Sequence, residues 1–293
     1  MTPSDNVTVV ETNQLSTEMK VTFQALVDLI RRAPSLTVLT GAGTSTASGI
    51  PDYRDRFGQW KRPLPIQYLA FMTSHAARQR YWSRSMLGWP YFERASPSAT
   101  HCSLNELKKY IKIEALITQN VDSLHQKAGD TGVLELHGGL DKVKCMDCGN
   151  VTSRAQLQKE LEYHNPNWLT LAGTLAPDGD IDVDGDRSFE VPSCRTCGGL
   201  LKPDVVLFGE SVPRPRVKRA TDALRASGAL LVVGSSLMVF SGWRFVRLAH
   251  REGIPIAIIN QGVTRGDPQA QVKLDSECGT TLAGIVDRLS VKP

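Results

Sequence analysis

Four cysteines in two Cys-x-x-Cys pairs have the most specific chemical spacing in this sequence. Cys145 and Cys148 form one pair, and Cys194 and Cys197 form the other. Four thiolates at this spacing can surround one zinc ion tetrahedrally, and they leave no open position for catalysis. Because the first twenty residues lack the pattern of a secretion signal, metal binding is favoured over disulfides. The sequence predicts one structural Zn²⁺ per chain, and its loss should unfold residues 141–202.

Two other cysteines and an acidic stretch are less suited to bind metal. Cys102 is expected in the core and Cys278 in a loop. The stretch DGDIDVDGDR begins like a calcium loop, but Val191 stands where an EF-hand has its bidentate glutamate. We therefore expect a solvated acidic loop, with calcium binding as the alternative. The residues that match the start of a calcium loop are Asp180, Asp182, Asp184 and Gly185.

A glycine-containing loop follows the first apolar run. Residues 36–40 lead into Gly41 and Gly43, but the third glycine of the GxGxxG pattern is missing and IPDYR follows at 50–54. Such glycines let the backbone approach a pyrophosphate beside the next helix N-terminus, and a tight strand-to-helix turn is the alternative. A dehydrogenase would have a second strand ending in an acidic residue about 20 residues later. Because that strand is absent, a nucleotide would be held in another way.

Four short apolar runs, each followed by a small polar signature, predict strands of a parallel sheet. They are SLTVLT before GAG at 41, IEALIT before QNVD at 119, ALLVVG before SS at 235, and IPIAII before NQG at 260. Continuous apolar runs of this length are typical of strands buried on both faces. Ligands bind outside the carboxyl ends of such strands, so the four signatures should line one crevice.

The predicted fold class is α/β, a Rossmann-like parallel sheet with a smaller zinc-binding module and a helical insert. One catalytic domain should cover 17–293, beginning with a helix that Pro34 ends. Residues 53–100, rich in aromatic residues and arginine, are expected to form the insert over the crevice. Residues 141–202 should form the zinc module, and residues 1–16 a flexible N-terminus.

Composition and charge exclude some functions. The chain has 293 residues, of which 41% are hydrophobic, and a formal net charge of +4, which does not demand a nucleic-acid partner. No apolar run approaches the roughly 20 residues of a membrane span. We expect a soluble, intracellular protein without membrane or nucleic-acid partners. A bacterial cytoplasm and a mature mitochondrial form both fit.

His137, in ELHG, is a candidate general base. It follows the strand-like run VLEL and the QNVD signature, and the zinc site does not need it. A neutral imidazole can accept a proton near pH 7. A structural or surface histidine is the alternative.

The order of the motifs resembles that of the sirtuins, which are NAD-dependent protein-lysine deacylases. The motifs are GAGTS with GIPDYR, TQNVD, ELHG, the paired cysteines, VLFGE, GSSL and INQG. The resemblance runs from about residue 20 to the C-terminus. The sequence looks like the class II, sirtuin-4-like branch of the family at four places, which are Tyr53, RYWSR at 80–84, LAPDGD at 175–180 and KPDVVLFGE at 202–210.

The resemblance implies an NAD site in the crevice. Tyr53 would cover the ribose carbon after nicotinamide leaves, Asn260 would contact the adenosine ribose, and the Cys278 backbone would contact the adenine. Asp52 or Asp122 would accept from the carboxamide of nicotinamide. The nicotinamide pocket would comprise Ala42, Ile50, Asp52, Asn120 and Asp122; Gly41, Gly43 and Ser235 would cradle the pyrophosphate; and Ser45, Arg54, Gly234, Ser236, Gln261 and Gly262 would complete the site.

The resemblance also implies a reaction. The acyl oxygen of a modified lysine attacks the ribose carbon, giving a cationic imidate, and His137 removes a proton from a ribose hydroxyl. Gln119 and Asn120 orient the ribose and a water. The products are free lysine, nicotinamide and O-acyl-ADP-ribose. The alternatives are an ADP-ribosyltransferase or lipoamidase using the same cleft, and an NAD-sensing binding module.

The resemblance places the substrate, an acyl-lysine protein or peptide, as a strand between residues 206–210 and the loop after Ser236. Tyr81 and Arg84 resemble the pair with which another sirtuin branch, the desuccinylases, binds an acyl carboxylate. On a helix both would share one face. The alternative is that Tyr81 packs within the insert while Arg84 stays on the surface or pairs with Glu93. The backbone segment includes Val206, Phe208, Gly209 and Glu210.

Overall fold

The computed structural model describes most of the chain. The predicted flexible segment 1–16 lies outside the described residues, as do Asp180, Asp184, Gly185 and the side chain of Asp182 in the acidic loop. The expectations for those two segments therefore stay predictions. The described residues are 17–61, 64–170, 174–175, 177–178, 181–182 and 188–291.

The elements over these residues are as follows. The helices are α1 (Thr17–Arg32), α2 (Tyr68–Thr73), α3 (His75–Arg94), α4 (Ala99–Leu107), α5 (Leu124–Lys127), α6 (Arg154–His164), α7 (Arg214–Ala226), α8 (Phe240–Arg251) and α9 (Cys278–Ser290). The strands are β1 (Leu36–Thr40), β2 (Ile113–Thr118), β3 (Val133–Glu135), β4 (Gly138–Cys145), β5 (Val151–Ser153), β6 (Thr174–Leu175), β7 (Ile181–Asp182), β8 (Leu201–Val205), β9 (Ala229–Val233), β10 (Ile256–Ile259) and β11 (Val272–Leu274).

A six-stranded parallel sheet positions the predicted crevice. Its order is β11-β10-β9-β1-β2-β3, and every neighbouring pair is parallel. The four predicted strands are confirmed as β1, β2, β9 and β10. Every residue of β1, β9 and β10 is buried, which explains their continuous apolar sequences. The chain runs from β1 to β2 on one side and returns to β9 on the other, so ligands should bind where β1 meets β9.

Helices cover both faces of this sheet. On one face, α1, α4 and α9 contribute Leu26, Leu104 and Leu282 to a cluster with the buried side chains of β1 and β9. On the other face, α7 and α8 contribute Leu224 and Phe245. The predicted first helix is confirmed as α1, which ends two residues before Pro34. The predicted α/β class is therefore confirmed.

A second core lies beside the sheet. Strands β5, β4 and β8 form an antiparallel sheet in that order, and α6 packs on β4. Val143 of β4 and Leu161 of α6 share one hydrophobic cluster with Trp82 and Met86 of α3. Residues 141–202 therefore have an organising core besides the predicted zinc site, because the module shares that core with the helical region. Its sheet also extends beyond those limits, from Gly138 to Val205.

The segment after the glycines differs from the expected strand-to-helix turn. Two short 3₁₀ turns, Ala42–Thr44 and Thr46–Ser48, stand where a helix was expected. Gly49 has φ of 83°, a left-handed conformation that ends the second turn. Residues 53–61 also form an irregular loop, with a bridge between Arg54 and Trp60, and the helices of the predicted insert begin only at Tyr68.

Over the described part of the chain, no helix combines the length and apolar character that crossing a membrane requires.

Candidate active site

A cavity of about 820 Å³ lies at the carboxyl ends of β1, β2, β9 and β10. All four polar signatures contribute to its wall, through Gly41, Gln119, Ser235 and Asn260 among others. His137 and Tyr81 also line it. The other predicted nucleotide-site residues on the wall are Ala42, Gly43, Ser45, Ile50, Asp52, Tyr53, Arg54, Asn120, Asp122, Gly234, Ser236 and Gln261, and the predicted substrate residues there are Val206, Phe208, Gly209 and Glu210.

Gly41 and Gly43 have no room for a side chain, because the loop after β9 packs against them. The Gly43 N–H donates to the Gly234 carbonyl at 2.8 Å. A Cβ on Gly41 would lie 2.8 Å from Ser235 Cβ, and one on Gly43 would lie 3.0 Å from Gly234 Cα. The backbones after β1 and β9 therefore touch, which brings the Ser235 hydroxyl beside the first loop. This close approach forms the floor of the cavity.

Asn120, Ser45 and Asp122 form a buried polar network. Asn120 Nδ2 lies 3.1 Å from the Gly41 carbonyl and 3.1 Å from Ser45 Oγ, and Ser45 Oγ donates to Asp122 Oδ2 at 2.7 Å. The Leu124 N–H donates to Asp122 Oδ1 at 2.9 Å. Burial raises the pKa of Asp122, although the two hydrogen bonds oppose this. The network orients two of the predicted nicotinamide-pocket side chains.

His137 is held by hydrogen bonds to both ring nitrogens. Its Nδ1 lies 2.8 Å from the Gln119 carbonyl and its Nε2 lies 2.7 Å from Ser241 Oγ. Because a carbonyl can only accept, Nδ1 carries the proton and Nε2 accepts from the serine. Burial lowers the pKa of His137, while the bond to Gln119 partly raises it. The ring is therefore neutral at pH 7, with its basic nitrogen at the cavity wall.

The loop 52–61 presents aromatic rings and charges to the cavity. The Tyr53 and Trp60 rings lie 6.1 Å apart between centroids, and Phe208 lies 6.2 Å from Tyr53. The Arg54 guanidinium carbon lies 4.0 Å from the Trp60 centroid. Asp52, expected to accept from nicotinamide, forms an ion pair with Lys61. To accept from nicotinamide, Asp52 would therefore have to bind Lys61 and the carboxamide at the same time, or break its ion pair with Lys61.

Residues 206–210 are fixed by a buried ion pair. Lys202 Nζ lies 3.1 Å from Glu210 Oε2, and that oxygen also accepts from the Leu207 N–H at 2.9 Å. The Val206 N–H donates to the His137 carbonyl at 2.7 Å, and the Phe208 carbonyl accepts from Tyr68 at 2.8 Å. These groups are engaged within the protein, so a peptide strand would pair with other backbone groups of this segment.

Tyr81 and Arg84 occupy different environments. Tyr81 is 3% exposed and packs edge-on against Phe71 and Trp82, with centroid distances of 5.3 and 5.1 Å. Tyr81 lines the cavity, whereas Arg84 is not among the lining residues. In this conformation the structure does not bring the two side chains together on the cavity wall.

Gly262 and Cys278, both predicted to hold NAD, are also absent from the lining residues. Gly262 packs against the loop 52–61, since a Cβ there would lie 2.2 Å from the Arg56 carbonyl oxygen. Cys278 is buried at the start of α9, and burial raises the pKa of its thiol to about 12. Both cysteine placements were wrong, because Cys278 lies in the core and Cys102 is exposed on α4.

The four paired cysteines converge. The sulfurs of Cys145, Cys148, Cys194 and Cys197 all lie within 4.8 Å of one another. The distances from Cys145 to Cys197 and from Cys148 to Cys194 are 3.5 and 3.8 Å. A tetrahedron with Zn–S bonds of about 2.3 Å has sulfurs about 3.8 Å apart, so the cluster fits zinc. The chain provides a structural Zn²⁺ site.

The two pairs have the same turn. The Gly149 N–H donates to the Cys145 carbonyl at 3.1 Å, and the Gly198 N–H donates to the Cys194 carbonyl at 2.7 Å. Both glycines are left-handed, with φ of 76° and 75°. Backbone N–H groups of Thr196 and Cys197 lower the pKa of the Cys194 thiol, which favours the thiolate at this position. Zinc binding would displace the remaining thiol protons of the cluster.

Residues 41–241 match the Sir2 family, and this stretch contains the glycine loop, His137 and both cysteine pairs. The chain belongs to the Sir2 family. The resemblance to sirtuins is therefore confirmed at the level of the family. Within this sirtuin, the matched stretch covers most of the cavity wall described above.

Two bacterial proteins described as NAD-dependent protein deacetylases are similar to this sirtuin over most of its length. The protein of Xanthomonas axonopodis pv. citri (strain 306) is 54% identical over 88% of this chain and 89% of its own. The protein of Bordetella bronchiseptica is 53% identical over 90% of this chain and 97% of its own. A solved structure of Sir2 with a p53 peptide and NAD+ has a TM-score of 0.73 at 27% identity, and covers 92% of this sirtuin and 99% of that chain.

Sequence reasoning missed three side chains of the sirtuin's site. Ser241 bonds the His137 ring, Lys61 pairs with Asp52, and Lys202 pairs with Glu210. The lysine in KPDVVLFGE had a usable signal, because a lysine inside an apolar strand needs an acidic partner. Ser241 and Lys61 had no such signal, since each meets its partner only through the fold.

Proposed function

We propose that this sirtuin is an NAD-dependent protein-lysine deacylase that transfers the acyl group to ADP-ribose and releases nicotinamide. The single observation that carries the proposal is His137, whose unprotonated Nε2 lies on the wall of the cavity that Asn120 and Asp122 also line. Two relatives are described as NAD-dependent protein deacetylases. A similar solved structure holds a peptide together with NAD+.

The residues of the crevice fit NAD as co-substrate. Gly41, Gly43 and Ser235 line the cavity where a pyrophosphate would bind, and Asn260 lies on the same wall for a ribose. Asp122 would accept from the carboxamide of nicotinamide. NAD supplies an electrophilic ribose carbon once nicotinamide has left. Tyr53, packed with Trp60 and Phe208, would then exclude water from that carbon.

His137 performs the proton transfer in this proposal. Its Nε2 accepts the proton of a ribose hydroxyl, while the Nδ1 bond to Gln119 keeps the ring in the required tautomer. Ser241 holds Nε2 at the cavity wall until the hydroxyl arrives. Asn120, fixed by the Gly41 carbonyl and Ser45, orients the ribose and a water.

One preparation tests this function. The protein is incubated with NAD and acyl-lysine peptides, and products are separated by mass spectrometry. Free lysine peptide together with O-acyl-ADP-ribose supports the deacylase. A peptide or protein carrying ADP-ribose would support the ADP-ribosyltransferase, and release of lipoyl groups alone would support the lipoamidase. NAD binding without any product would support the NAD-sensing module.

The branch of the sirtuin family, the domain bounds and the cellular location are proposals as well. We assign the chain to the class II, sirtuin-4-like branch on Tyr53, RYWSR, LAPDGD and KPDVVLFGE. Residues 17–293 would form the catalytic domain, with the predicted insert at 53–100, whose helices begin at Tyr68. The predicted zinc module at 141–202 would include the sheet that runs from Gly138 to Val205. A cytoplasmic location is proposed because the first twenty residues lack the pattern of a secretion signal, and a mature mitochondrial form is the alternative.

The acyl preference is tested through Arg84. If Tyr81 and Arg84 bind an acyl carboxylate, Arg84 must turn towards the cavity, where it would form a charge-assisted hydrogen bond. Arg84→Met should then lower kcat/KM on glutaryl-lysine or hydroxymethylglutaryl-lysine at least about tenfold while changing acetyl-lysine much less. The measurement is kcat/KM for matched peptides that differ only in the acyl group.

Two results would remove the carboxylate role. One is an equal fall on acidic and neutral acyl groups, which would mean that Arg84 supports the packing of α3. The other is that the unaltered protein prefers acetyl-lysine. Arg80→Met, on the same helix, serves as a control for the loss of a positive charge.

A further inference from the structure

An arginine on the cavity wall has no role in the proposed mechanism. Arg244 lines the cavity and stands three residues after Ser241 on α8, so the two side chains share one helix face. Ser241 contacts His137 directly. The positive charge of Arg244 also contributes to the lowered pKa of His137. Arg244 is therefore close to the reacting groups.

The charge of Arg244 is not neutralised by the protein. Within the described residues it has no ion pair, and its buried Nε has no hydrogen-bond partner. Its guanidinium carbon lies 5.1 Å from the centroid of the Phe240 ring. A guanidinium at a cavity wall without an anionic partner is unfavourable, so a ligand carboxylate that reached its terminal N–H groups would improve its environment.

Four of the five acidic side chains on the described cavity wall have partners other than Arg244. Asp52 pairs with Lys61, and Glu210 pairs with Lys202. Asp122 accepts from Ser45 and from a backbone N–H. Asp55 accepts from the backbone N–H groups of residues 57 and 59. None of these four carboxylates is bonded to Arg244.

The surroundings of Arg244 point to the peptide rather than to NAD. Val239 and Phe240 are 37% and 52% exposed, and both line the cavity directly after the loop at Ser236. That loop is the one expected to pair with the substrate backbone. The pyrophosphate is assigned to Gly43 and Ser235, which follow β1 and β9, whereas Arg244 lies on α8. A side chain of a bound peptide is therefore the nearest source of an anion.

We propose that Arg244 binds the carboxylate of an aspartate or glutamate that flanks the acyl-lysine, so that this sirtuin selects acyl-lysine sites with acidic neighbours. The inference rests on the proposed deacylase function. A planar guanidinium over an aromatic ring is well suited to a carboxylate, because it can donate two parallel hydrogen bonds.

The test uses NAD and peptides that carry the acyl-lysine that the unaltered protein turns over fastest. Each of three positions on either side of the lysine is varied among Asp, Asn and Lys, and kcat and KM are measured. At one or more positions the unaltered protein should prefer Asp over Asn by about tenfold, through KM of the peptide. Arg244→Met should reduce that ratio to below about threefold. Arg247→Met is the matched control, since Arg247 is exposed on the same helix, also lies over Phe240 and is not on the cavity wall.

The possible failures are distinguishable. If the unaltered protein deacylates no peptide, the proposed function itself fails. If it deacylates Asp, Asn and Lys peptides equally, or if Arg247→Met removes the preference as fully as Arg244→Met, the role of Arg244 is wrong. If Arg244→Met raises the KM of NAD instead of the peptide, the arginine binds a phosphate, which also overturns the proposal.

Discussion

His137→Ala should reduce NAD-dependent deacylation by about a hundred- to ten-thousand-fold while the protein stays folded and binds NAD. A general base contributes a factor of this size. His137 lines the cavity with an unprotonated Nε2, and its partners Gln119 and Ser241 remain after the substitution. The measurement is kcat from O-acyl-ADP-ribose formation, with NAD affinity measured separately by calorimetry.

The matched control is His250→Ala, because His250 is exposed in the last turn of α8. It should retain the deacylation rate of the unaltered protein. Turnover by His137→Ala at the unaltered rate would remove the proposed mechanism. Loss of NAD binding together with turnover would instead show that His137 supports the cavity wall.

The pH dependence follows from the same residue. Burial holds the pKa of His137 below its usual value of 6.5, so the folded protein keeps the ring neutral at pH 7. As the pH falls through this lowered pKa, Nε2 becomes protonated and can no longer accept a proton. The acid limb of kcat/KM, which reports the free enzyme, should therefore lie below pH 6.5. It should disappear from the residual activity of His137→Ala.

The parallel sheet could be predicted because its strands are buried on both faces. Such strands are continuous apolar runs, and Leu36–Thr40 and Ile256–Ile259 stand out for that reason. The missing helix after Gly43 could also have been foreseen. Gly49 and Pro51 follow within eight residues of Gly43, and together they interrupt a helix.

Contacts between distant parts of the chain could not be predicted. His137 and Ser241 are 104 residues apart, and only the fold brings their side chains together. The same holds for the buried position of Cys278, which depends on how α9 packs against α4 and β10. The cysteine pairs were predictable despite their separation because zinc chemistry fixes which residues must meet.

The cysteine cluster gives the second large effect. Cys145→Ser should yield protein with well under one zinc per chain and a strongly lowered unfolding temperature. Zinc contributes about 10 to 16 kcal/mol to the folding of small zinc modules. The first cysteine pair follows β4 and the second precedes β8. Loss of the metal therefore removes the link that holds the neighbouring ends of these two strands. The measurements are elemental analysis and thermal unfolding followed by circular dichroism.

Cys102→Ser is the matched control, since that cysteine is exposed and lies outside the cluster. It should keep one zinc and its unfolding temperature. Fully folded, active protein without zinc would contradict the structural role. The shared core adds a further expectation, because Val143 packs in the same cluster as Trp82 of α3 and Tyr81 lines the cavity. Zinc loss should therefore impair peptide turnover through α3, while NAD binding, which depends on the parallel sheet, should be retained longer during stepwise chelation.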